Sequence, residues 1–129
     1  MQDVFDTLAK SGGRVQAITA HLPADRLFKP EGFDGHHDPH VWFDVDLWAR
    51  CIDTIVESFT RLAPSDEAGF RERGAAARSA LAALHQWAQG RARELPEARR
   101  VLVTSHDAFN YFGRAYGFRV VALQGISTV

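Results

Sequence analysis

Histidines 36, 37, 40 and 106, together with Asp38, form the densest set of potential metal donors in this chain. His36-His37-Asp38-Pro39-His40 places three imidazoles and a carboxylate within five residues. His106 lies immediately after the β-branched run Val101-Leu102-Val103-Thr104 and before a helical pattern. Neutral imidazole is a good ligand for Zn²⁺ and an acceptable one for Mn²⁺, and strand ends in α/β sheets are where ligand sites collect. From residue types and spacing alone, a plainer reading stands beside the metal one. Histidines are common in surface loops, and a His beside an Asp at a helix start is often part of a cap.

Other chemistries fit less well. Ser105-His106-Asp107 holds the letters of a hydrolase triad, but consecutive residues cannot align nucleophile, base and orienting carboxylate in one hydrogen-bonded line. A metal-dependent hydrolase centred on His106 and Asp107 needs further His and Asp ligands from helices, whereas here the pair follows a strand. Cys51 is the one cysteine, which excludes an internal disulfide and a multi-thiolate metal site; on an apolar stripe it reads as a buried, inert thiol. His85 reads as solvated, His21 as a loop residue, and Trp42, Trp48 and Trp87 as core or contact residues.

The elements that must position these groups follow from periodicity. Val4, Phe5 and Leu8 suggest a short helix ended by Ser11-Gly12-Gly13, and Arg14 to Ala20 reads as a short buried strand. His21 to Asp44 has no periodicity, collects Pro and Gly, and carries four of the six histidines, so it is a long loop of the functional kind. Asp44 is a plausible N-cap for a helix whose Trp48, Cys51, Ile52, Ile55, Val56, Phe59 and Leu62 form one apolar stripe. After Pro64, with Ser65 as the expected cap, a second helix of about thirty residues runs to Pro96 with a thin apolar stripe, as suits a helix bridging two bodies. Val101–Thr104, a helix over Phe109, Phe112 and Ala115 capped by Asp107 and ended by Gly117, and Phe118–Leu123 form a βαβ unit with parallel pairing. Gly125-Ile126-Ser127-Thr128 reads as a turn into a further helix.

The 129 residues suit one ordinary globular domain, and 15 basic against 16 acidic side chains give a net charge of −1. That balance offers no positive field for phosphate backbones, which argues against nucleic acid as a partner. No apolar run reaches the length of a membrane-spanning helix, and the first six residues are acidic where a signal peptide would be basic and then apolar.

Asp38-Pro39-His40-Val41-Trp42-Phe43-Asp44, the long helix, Val103-Thr104-Ser105-His106-Asp107-Ala108-Phe109, the Tyr111-Phe112 and Tyr116-Gly117 that follow, and Leu123-Gln124-Gly125-Ile126-Ser127-Thr128 stand in that order along the chain. Together these linked motifs strongly resemble the zinc- and manganese-specific solute-binding proteins of bacterial ABC importers. The resemblance implies an α/β chain with a partial two-lobe solute-binding fold, a long interlobe helix and incomplete parallel sheets. Residues 1–63 would end the first lobe, 64–96 would be the linking helix and 97–129 would begin the second lobe. It implies that His40 and His106 are metal ligands, that the cargo is Zn or Mn held between the lobes, and that the partner is a membrane permease. The location implied is periplasmic or surface-anchored, and the chain would be a binding protein rather than an enzyme. The family's further histidine and its carboxylate would come from outside this sequence, and His36 and His37 would gather metal loosely, apart from the cleft.

The two candidate ligands lie 66 positions apart on either side of the long helix, so each lobe would contribute one across a stiff connector. A ligating histidine normally has its other ring nitrogen held by a carboxylate or carbonyl, for which Asp38, Asp44 and Asp107 are the sequence-near candidates. Incomplete sheets with unpaired edges predict marginal stability and self-association. With two firm ligands, weak metal binding is expected, because closed zinc sites use four donors, or three plus water. A nonfunctional remnant keeping the motifs without using them is the remaining alternative.

Overall fold

Asp44 caps the helix that follows it, because its carboxylate accepts the backbone N–H of Leu47 (3.1 Å) and so satisfies a donor that the first helical turn leaves open. The computed structural model describes residues 2–12, 15–30 and 35–123, and places this helix, α2, at Val45–Leu62 after the short α1 at Gln2–Lys10. The expected stripe of α2 is covered only in part. Leu47, Cys51 and Ile52 are buried, whereas Phe59 and Leu62 at the far end are exposed, Phe59 stacking on Phe70 with ring centroids 5.5 Å apart. Burial raises the Cys51 thiol above its ordinary range, as expected of an inert buried cysteine.

A 3₁₀ turn at Pro64–Asp66 leads into α3, Glu67–Arg93, 27 residues and about 40 Å long. Ser65 does not cap it; Asp66 holds the N-cap position without a side-chain bond. Gly74 lets α3 approach α2 closely, since a Cβ there would lie 2.5 Å from Val56 Cγ2. Beyond that contact α3 is largely bare: Trp87 is 63% exposed, so it is not the core residue its place on the stripe suggests.

β1 (Val101–Thr104) pairs in parallel with β2 (Arg119–Ala122), Val101 opposite Arg119 and Thr104 opposite Ala122. Between them runs α4, Asn110–Tyr116, ended by Gly117 in the left-handed conformation at φ 72°, where glycine carries no Cβ penalty. α4 starts later than the sequence suggests, with Phe109 at the N-cap, and Asp107 bonds the Asn110 side chain instead of capping. The expected strand at 14–20 is absent among the described residues: Val15–Ala17 has no ladder partner, and two tight turns (Ala20 N–H to Ala17 O, Leu22 N–H to Thr19 O, both 3.1 Å) fold the chain back. An apolar run becomes a strand only beside another strand, and here Ile18 alone packs on the core. The expected turn at Gly125–Thr128 lies outside the described residues.

The core gathers Leu22, Val41, Leu47, Cys51 and Tyr111, flanked by Ile18, Leu27, Phe28, Phe43 and Trp48. It therefore joins the long loop and the first turns of α2 and α4, the three pieces that meet beside both candidate histidines.

Candidate metal centre

His40 sits on the turn before a 3₁₀ segment, Val41–Phe43, that leads into Asp44 and α2. Asp38, fully buried, fixes it twice with one oxygen: Asp38 Oδ1 accepts the His40 backbone N–H (2.9 Å) and pairs with His40 Nδ1 (2.7 Å). A carboxylate acceptor at Nδ1 puts the proton there and leaves Nε2 with its lone pair turned outward, the tautomer a metal ligand needs. Asp38 Oδ2 is buried without a hydrogen-bond partner, so both donors the carboxylate receives come from His40. A buried, half-satisfied carboxylate is costly, and a cation held on Nε2 of the neutral imidazole would offset part of that cost by polarising the Nδ1–H that Asp38 accepts.

His106 follows β1 and precedes α4, its carbonyl accepting from Thr104 Oγ1 (2.9 Å) and Ala108 N (3.0 Å). His106 Nε2 lies 3.3 Å from His40 Nε2, with the two rings edge to face at 74°. Two nitrogens bound at about 2.0–2.1 Å to one tetrahedral ion are about 3.3 Å apart, so the pair has the spacing of two corners of such a site. Among the described residues no group of three or more His, Cys, Asp or Glu is arranged to hold an ion.

The sequence offered three carboxylates to support the histidines, and they divide. Asp38 holds His40; Asp107 accepts from Asn110 Nδ2 (2.9 Å); Asp44, besides capping α2, binds Arg26 (3.3 Å) and Arg114 (3.2 Å) through Oδ2. That last cluster braces the turn behind His40 from two sides, because Arg114 on α4 also donates to the Arg26 carbonyl (2.7 Å) and lies over the rings of Phe28 and Tyr111. Arg26 and Arg114 had no local signal in the sequence, and only their place on opposite sides of Asp44 gives them a role.

His36 and His37 lie outside the pair, along an open cleft of about 630 Å³ with Leu22, Pro39 and Val41. His85 is not the solvated residue expected: its Nδ1 pairs with the Tyr116 hydroxyl (3.3 Å) and its Nε2 with Gln89 (3.0 Å), tying α3 to α4. His21 Nδ1 meets Thr54 Oγ1 at 3.3 Å. Trp42 is half exposed with its ring 5.3 Å from His40, at the edge of the centre and not in the core.

The family described as zinc-uptake complex component A, periplasmic, matches residues 1–129. The zinc-binding protein TroA of Treponema pallidum is 41% identical over 128 residues, covering 99% of this chain and 41% of that protein. The manganese-binding lipoprotein MntA of Bacillus subtilis is 40% identical over 125 residues, covering 95% of this chain and 40% of that protein. In three dimensions the periplasmic zinc-binding protein TroA from Treponema pallidum superposes with a TM-score of 0.90 at 41% identity, over 98% of this chain and 45% of that one. The chain spans less than half the length of these relatives.

Proposed function

Because the chain belongs to the zinc-uptake complex component A family, we propose that it carries the metal-binding centre of an ABC importer's receptor, with His40 and His106 as ligands. In this reading the cargo is Zn²⁺ or Mn²⁺, held in a cleft between two lobes and delivered to a membrane permease from the periplasm or the outer surface. Residues 1–63 close the first lobe, 64–96 form the connector and 97–129 open the second. The activity is binding and release, with no covalent step. Relatives named for zinc and for manganese at nearly equal identity leave both ions in the proposal.

The observation that carries the reading is the 3.3 Å approach of the two Nε2 atoms, one of them oriented by a buried carboxylate on its opposite nitrogen. Two donors are half of a closed zinc site, so the chain by itself binds weakly and depends on further donors for full affinity. His36 and His37 act as a loose collecting site apart from the pair.

Calorimetric titration with Zn²⁺ and then Mn²⁺, beside a His40→Ala/His106→Ala double variant that keeps His36 and His37, tests this. The wild type is expected to bind and the variant to lose that binding while keeping its helical content. Equal binding by both would assign the metal to the loop histidines and remove the pair from the site.

A further inference from the structure

We infer that Tyr111 is a positioning residue of the metal centre, its hydroxyl on the helix after His106 holding the Asp38 main chain that aims His40. This rests on the two-histidine reading above. The Tyr111 side chain is fully buried, and its oxygen closes a ring of three hydrogen bonds. Phe28 N–H donates to Tyr111 Oη (3.1 Å), the Tyr111 hydroxyl donates to the Asp38 carbonyl (3.0 Å), and Asp38 N–H donates to the Phe28 carbonyl (2.9 Å). Phe28 and Asp38 thus keep one direct backbone bond, and the phenol bridges the donor and acceptor that are left over. Each partner acts in one direction only, so the ring fixes the hydroxyl proton toward Asp38.

The phenol is suited to that duty. Burial raises its ionisation above the ordinary tyrosine range, opposed by the Phe28 N–H, raised further by Asp38 and lowered by Arg114, so it remains a donor throughout the neutral range. Its ring is held edge to face on Phe28 at 4.9 Å, with the Arg114 guanidinium 5.2 Å from its centre. The consequence is a mechanical link: α4, which follows His106, grips the backbone of the residue whose carboxylate orients His40. A two-nitrogen site tolerates only about 0.5 Å of error before ligand geometry suffers, so a link between the two ligand segments bears directly on affinity.

Tyr111→Phe keeps the ring contacts and removes only the hydroxyl. In the chain as it stands, titrated with Co²⁺ as a spectroscopic probe and with Zn²⁺ in competition, the variant is expected to bind about tenfold more weakly and to show a shifted or weakened Co²⁺ visible band. Wild-type affinity and an unchanged band in the variant would overturn the inference while the two-histidine reading stands. Equal Co²⁺ binding by wild type and His40→Ala/His106→Ala would overturn both. Should Tyr111→Phe fail to fold, fluorotyrosine labelling of the wild type decides, because the chain has two tyrosines, 111 and 116. The Tyr111 fluorine resonance is expected to move on Zn²⁺ addition and that of Tyr116 to stay; a Tyr111 signal blind to zinc overturns the proposal.

Discussion

The α2–α3 pair and the packing of the long loop against α4 hold together by opposite means. α3 lies on α2 through apolar surface and one close approach at Gly74, and the ion pair across them, Arg78 with Asp53, is exposed. Such a pair adds little, since surface ion pairs are weak. The loop and α4 instead meet through buried polar groups: Asp38 and Asp44 are almost wholly inaccessible, Tyr111 is bonded to two backbone groups, and Arg26 and Arg114 close on one carboxylate. Apolar packing is tolerant and non-directional, whereas buried hydrogen bonds specify positions and punish loss of a partner. The helical pair therefore tolerates change, while the junction, which also holds the apolar core, fixes the placement of two histidines relative to each other.

The largest test of this contrast is Asp44→Ala. It removes the N-cap of α2 and leaves two arginines, each about one-third exposed, without their shared carboxylate. A loss of about 3 kcal/mol in urea unfolding is expected, because truncating one member of a buried charge cluster costs far more than the net worth of the cluster. Zinc binding should weaken with it, since the turn behind His40 loses its brace. An unfolding midpoint within error of the wild type would show that the junction does not depend on this cluster.

Two glycines sharpen the contrast further. At Gly113 a Cβ would fall 2.7 Å from the Phe118 carbonyl oxygen and 2.8 Å from Val120 Cγ2, a backbone obstacle that cannot rotate away. Gly113→Ala is expected to cost about 2 kcal/mol by overpacking α4 against β2. At Gly74 the obstacle is the Val56 side chain, and alanine's better helix propensity returns about 1 kcal/mol, so Gly74→Ala should cost about 1 kcal/mol net. The decisive comparison is metal affinity: Gly113→Ala should weaken it by moving α4, and Gly74→Ala should leave it unchanged. A reversed order would place the helical pair, not the polar junction, in control of the site.

The same division governs how much the sequence discloses. α2, α3, β1, β2 and the Gly117 stop are legible because each follows from spacing, a cap or a left-handed turn residue within its own segment. The strand expected over Arg14 to Ala20 is absent from its described residues because a strand is a property of a pair, and nothing local reveals the missing neighbour. Asp107 was expected to cap a helix and instead bonds Asn110, since Ser, Thr, Asn and Asp choose among several local backbone and side-chain partners. His40 and His106 stand out by type and motif, but their approach depends on Arg26, Arg114 and Tyr111, which join segments roughly 70 to 90 positions apart and leave no periodic trace. Asp38 was one of three equal candidates, and only packing shows that it alone faces His40.

The smallest expected effect concerns the bare part of α3. Trp87 and Leu84, three positions apart and so on one face of the helix, are 63% and 46% exposed. Replacing a side chain this exposed changes stability by no more than about 0.5 kcal/mol, so Trp87→Gln should unfold at the wild-type urea midpoint. Its effect should appear instead in association. Adjacent exposed apolar side chains on a long helix favour contact between copies, and sedimentation velocity should show a smaller associated fraction for Trp87→Gln than for the wild type at equal concentration. If the wild type is already monomeric across the concentration series, this face does not drive self-association. If Trp87→Gln instead lowers the unfolding midpoint, α3 contributes packing near Trp87, and the contrast between a tolerant helical pair and a demanding polar junction narrows.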